Sequence, residues 1–185
     1  MEIIQYKNLR VIEEFSVTHS VSLEYSEICF HECLKFLSLV KYSNQSIQPS
    51  ILVDGIWHIF ITHTKDYREF CKKYIGFFVD HLPCDPNPVF FDNTIKLLHK
   101  HYGSINTIWG LTDADVENII SGTVSSKELV LSGKFASSDC YIANCGPSHG
   151  GCEPKKEQGG CFLFAIIGLM TAFLSVFALL LCIRI

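Results

Sequence analysis

The chain has 185 residues, of which 48% are apolar and only 18% charged. Typical soluble domains carry about 25% charged residues, so part of this chain is unusually apolar, and intrinsic disorder is excluded for most of it. The net charge is −4, from 15 basic and 19 acidic residues, and no basic run exceeds two (Lys72-Lys73, Lys155-Lys156). Nucleic-acid binding needs clustered positive charge and is therefore disfavoured.

The first predicted helix starts at Asn8 as cap, with Leu9, Ile12 and Phe15 on one face. Ser22 caps a longer helix to about Lys41, whose buried face reads Phe30, Cys33, Leu34, Leu37 and Val40. Ser50 caps a third, from Ile51 to about His63, and Thr64 a fourth, with Tyr67, Phe70, Cys71, Tyr74 and Ile75 facing inward. Gly76 occupies a left-handed C-cap position. After an extended stretch, Asn87 and Pro88 open a fifth helix with Phe91, Ile95, Leu98 and Tyr102 inward. Thr112 begins a capping box for a last short helix to about Ile120. No run alternates as a strand would. The expectation is an all-α bundle of five or six helices over residues 1–120.

Residues 121–161 are rich in Ser and Gly and read as a tether with little fixed structure. Phe162 to Ile183 then form a 22-residue run without a charge. As a helix it would measure about 33 Å, enough to cross a hydrocarbon core of about 30 Å. No signal-peptide pattern precedes it. The expectation is a single-pass, tail-anchored protein with its bulk facing the cytosol and the bilayer contacted through 162–183. Ala165, Gly168, Ala172 and Ser175 share one face of that helix, a pattern that supports homodimerisation or arises by chance from common small residues.

The third helix is apolar nearly all round, broken by Asp54, Gly55, His58, Thr62 and His63. Asp54, His58 and Thr62 are four apart and form one polar stripe. Asp54 and His58 can pair across one turn, and a carboxylate beside an imidazole suits a metal ligand or general base. Adding His81 gives three N/O donors and an open site for a divalent metal such as zinc. His63 and Cys71 are reserve ligands, Cys71 more plausibly a core residue. The competing reading is a solvated stripe with His81 as an ordinary hydrogen-bonded histidine. Two functions follow: a membrane-anchored helical binding or scaffold module, or a metal-dependent enzyme or sensor using Asp54, His58 and His81.

The segment also resembles a known family. Asp54, Trp57, His58, His63, Thr64, Tyr67, Phe70, Cys71, Gly76, Phe78, His81 and Pro83 stand in an order similar to the glycine-rich domain-containing-protein-like family. The resemblance implies a fold and a residue list, and no reaction. The dense Gly/Cys tail of that family is reduced here to Cys145-Gly-Pro-Ser-His-Gly-Gly-Cys152 and Gly159-Gly160-Cys161.

Nine cysteines complete the inventory. Cys29 and Cys33 share a helix face while His31 points away, so these three cannot bind one metal. Cys140, Cys145, His149, Cys152 and Cys161 match no common zinc spacing. Disulfides among the tether cysteines would need an extracytosolic location. Cys161 abuts the apolar run, where S-acylation is chemically reasonable and an unmodified thiol is the alternative.

Overall fold

The computed structural model describes residues 3–124, 126 and 140–142. Six α-helices make up most of it: α1 (Leu9–His19), α2 (Leu23–Leu39), α3 (Ile51–Thr62), α4 (Thr64–Phe70), α5 (Pro88–Tyr102) and α6 (Asp113–Ser121). Short 3-10 turns at Ile3–Gln5 and Thr107–Trp109 are additions to the expected elements. Among the described residues no helix is long and apolar enough to cross a membrane. The 162–183 run lies outside the described residues, as do Cys161 and the small-residue face at Ala165, Gly168, Ala172 and Ser175.

Local chemistry explains most boundaries. The side chains of Asn8, Ser22, Ser50 and Asn87 accept backbone N–H groups of the following turn, satisfying donors with no intrahelical partner. Thr112 and Asp115 form the reciprocal capping box. Thr64 departs from expectation. It is already helical, and the position before it, His63, makes no side-chain cap. Only one residue separates α3 from α4, which leaves no room for a full cap.

α2 is the central rod, packed against α1, α3 and α5. Its five predicted core residues are buried, and Cys29, Phe36 and Leu39 are buried too. On α1 the predicted face shifts: Ile12 and Phe15 are buried, but Leu9 is 61% exposed and Val11 takes its place. Tyr102 is only partly buried.

Two polar anchors were not visible in the helical periodicity. Glu32, on α2, is 3% exposed. It pairs with Lys35 at 2.6 Å and accepts the Trp109 indole N–H at 2.9 Å, fixing the Thr107–Trp109 turn to α2. Gln48 is fully buried. Its backbone N–H and carbonyl both bond the Thr94 hydroxyl, and its side-chain oxygen accepts from the Asn87 N–H, clamping the loop before α3 onto α5. Both satisfy the requirement that buried polar groups be hydrogen-bonded.

Residues expected in a tether join this domain. Leu82–Pro83 (β1) pairs antiparallel with Cys140–Tyr141 (β2), and Ile47 bridges to Ile142, which is 2% exposed. Within the 121–161 stretch, residues 140–142 are paired with the helical domain. There the buried Ile142 side chain and backbone pairing supply what Ser/Gly composition does not reveal.

Gly55 lies where α3 passes α1. A Cβ there would meet His19 Nε2 at 3.4 Å and Phe15 Cε2 at 3.6 Å, close to ordinary contact with the end of a flexible side chain. Gly55→Ala is therefore expected to stabilise the domain by about 0.5–1 kcal/mol, through the lower entropy cost of Ala within a helix. A urea midpoint shifted downward would refute this.

Candidate metal centre

α3 is capped by Ser50, whose hydroxyl accepts the Val53 N–H. Asp54 falls in the first turn, is 6% exposed, and sits at the positive end of the helix dipole. One turn later, His58 is exposed. Its Nδ1 lies 3.3 Å from Asp54 Oδ2 and 3.1 Å from the Asp54 carbonyl oxygen. Thr62 continues the stripe in sequence but turns its hydroxyl to the Ile59 carbonyl, away from the cluster.

His81 reaches the same carboxylate from another part of the chain. α4 runs into a π-turn at Cys71–Ile75, which ends at Gly76 with φ 102°. That backbone conformation favours glycine, and it redirects the chain so that residues 77–83 return along α3. Three contacts hold this return. Trp57 Nε1–H donates to the Tyr67 hydroxyl at 3.1 Å, and that hydroxyl donates to the Val79 carbonyl at 2.8 Å. The Trp57 and His81 rings pack at 4.5 Å. As a result His81 Nε2 stands 3.1 Å from Asp54 Oδ1, and the two imidazole rings are 4.2 Å apart.

One donor atom from each of Asp54, His58 and His81 lies within 4.8 Å of the others. Tetrahedral zinc with bonds of about 2.0–2.1 Å separates its ligand atoms by about 3.3 Å. The His81 and His58 nitrogens approach different carboxylate oxygens, Oδ1 at 3.1 Å and Oδ2 at 3.3 Å, so binding one ion would require the donors to close on a common point. The exposed His58 leaves the outer side open to solvent. Without a metal, the same arrangement is a carboxylate bridging two imidazoles.

The reserve ligands fall elsewhere. His63 Nε2 pairs with Glu14 on α1 at 2.8 Å. Cys71 is buried, and burial pushes its thiol up, against hydrogen bonds from the Val79 backbone and Tyr67 that pull it down. Burial likewise raises Cys29 to about 11, with Glu32 adding to the shift, and raises Cys33 well above the ordinary thiol range, with the charge of Asp54 adding to it. Thiolate is the reactive form. We therefore expect Cys29, Cys33 and Cys71 to resist N-ethylmaleimide in the native protein and to react once it is unfolded, as peptide mass mapping would read. Rapid native labelling of any of the three would contradict the packing.

The segment from α1 to the end of α5, residues 9–103, matches the model of the UCP032817-like family. The chain belongs to the UCP032817-like family. No curated protein and no solved structure shows a significant match. The match corrects the resemblance to the glycine-rich domain-containing family, because it spans the whole Asp54–Pro83 segment on which that likeness rested. The physical reason lies in packing. Trp57, Tyr67, Phe70 and Cys71 are all at most 1% exposed. A helix pair with an aromatic core constrains such residues for volume alone, so their order is a weak discriminator between families. The matched region of this UCP032817-like protein contains Asp54, His58 and His81 and ends at Gly103, before the Thr107–Trp109 turn and α6.

Proposed function

We propose that this UCP032817-like domain is a divalent-metal-binding module, with zinc held by Asp54, His58 and His81. The observation that carries the reading is the convergence of three metal-competent donor atoms from α3 and the returning segment within 4.8 Å. Two imidazoles and one carboxylate form a recognised open ligand set, leaving a position for water or a further ligand.

The placement of the donors supports a structural or sensing role. A catalytic metal normally faces a substrate cavity. Clefts of about 410 and 210 Å³ are lined by other side chains. A metal at Asp54, His58 and His81 would instead staple α3 to the segment leading into β1. That segment pairs with residues 140–141, so metal occupancy would favour docking of the chain that follows the helical domain. The charge-free run 162–183 supports a membrane anchor beyond it, making the whole a tethered metal-responsive binding module.

The test uses the full chain in a non-ionic detergent. Elemental mass spectrometry should find near-stoichiometric zinc, lost in both His58→Ala and His81→Ala while circular dichroism stays helical. Folded wild-type protein that takes up no zinc would reduce the cluster to a hydrogen-bonded packing motif.

A further inference from the structure

A second site is assembled from different residues. The C-terminal end of α2, the π-turn and the last turn of α5 converge with the N-terminal 3-10 turn around a cleft of about 410 Å³. Lys41, Lys73 and His101 supply three basic groups to its lining. Ser38, Tyr74 and Tyr102 supply hydroxyls and aromatic surface. Among the described residues no acidic side chain lines it, although acids outnumber Lys and Arg in the chain by 19 to 15.

The lysines are not used elsewhere as ion-pair partners. Among the described residues, neither Lys41 nor Lys73 takes part in a salt bridge. Lys73 Nζ is placed over the Tyr74 ring, 5.0 Å from its centroid. Tyr42 stacks on His101 at 4.3 Å, which holds that imidazole at the mouth. The Ser38 and Tyr102 hydroxyls meet 2.6 Å apart at the wall. An anion in the cleft would be attracted by both ammonium groups.

The geometry points to a binding site for a small phosphate-bearing molecule, held by Lys41 and Lys73 with the tyrosine faces against its organic part. A phosphate monoester carries close to two negative charges, matching two lysines. The cleft exceeds the volume of an inorganic ion and falls in the range of small-molecule sites of about 300–1,000 Å³. The simpler alternative is that these cations only offset the negative C-terminal ends of α2 and α5. It predicts a stability change on their removal and no saturable anion binding.

The experiment is calorimetric titration of the full chain in non-ionic detergent with two probes, inorganic pyrophosphate and a short-chain soluble phosphatidic acid. Saturable binding at about 1 mM or tighter is expected for at least one probe, weakened about tenfold by Lys41→Gln or Lys73→Gln. Higher ionic strength should weaken it further. Lys96→Gln, an exposed lysine outside the cleft, should leave it unchanged. Tighter binding of the lipid would assign the phosphate to a headgroup, and tighter binding of pyrophosphate to a free metabolite. Either supports the site. No saturable binding of either probe, or binding indifferent to both cleft lysines in variants that remain helical, would overturn it. These residues are distinct from Asp54, His58 and His81, so failure here leaves the metal reading standing.

Discussion

Asp54→Asn is expected to lower zinc affinity by about 100-fold or more. Partners that only orient a metal ligand already cost about 10–100-fold when removed, and Asp54 is proposed as a ligand itself. It is also the group that unites the site, since one oxygen faces His58 Nδ1 and the other faces His81 Nε2. Asn keeps the shape and one acceptor oxygen but has no charge to offset the metal. Its amide also cannot accept from both imidazoles at once. Because the shape is retained, the domain should still fold, so loss of binding can be separated from loss of structure. Competition against a chromophoric zinc chelator reads the affinity directly. Unchanged affinity in Asp54→Asn would remove the carboxylate from the ligand set, and with it the proposed centre.

The second large effect is on stability. Tyr67→Phe should destabilise the domain by about 2–4 kcal/mol. The phenol oxygen is the middle of a buried chain: it accepts from Trp57 and donates to Val79. Phe fills the same space but strands the indole N–H and weakens satisfaction of the Val79 carbonyl. Each buried group left without a partner costs about 1–3 kcal/mol. The lost bonds also join α3 to the segment carrying His81. Metal affinity should therefore fall although no ligand is touched. Urea denaturation, with and without zinc, measures both consequences. A destabilisation below about 0.5 kcal/mol would show that the pairing contributes little net energy.

How far the site was legible depended on sequence distance. Asp54 and His58 are four apart on one helix, so residue type and helical spacing sufficed to bring them together. His81 was selected by chemistry alone. Its approach depends on the π-turn, the positive φ of Gly76 and the Trp57–Tyr67–Val79 chain. None of these follows from periodicity. Thr62 shows the converse: it continues the stripe in sequence, yet its hydroxyl bonds its own helix. Glu32 was missed because a charged residue on a helix is ordinarily solvated. Here it is enclosed by Lys35 and the distant Trp109. The cleft was equally invisible. Lys41, Lys73 and His101 are about thirty residues apart from one to the next, and the absence of basic runs says nothing about charges gathered by folding.

The sequence by itself determined the helices, because capping and helical periodicity act within a few residues. Asn8, Ser22, Ser50, Asn87 and Thr112 each satisfy backbone donors of their own first turn, and those bonds need no other part of the chain. Only the tertiary structure decided which polar groups are enclosed, which donors converge on Asp54, and that residues 140–142 belong beside β1. These outcomes are set by burial and by pairing across long sequence separations. A hydrogen bond or charge gains its weight there from the neighbours that exclude water, and those neighbours exist only once the chain has folded.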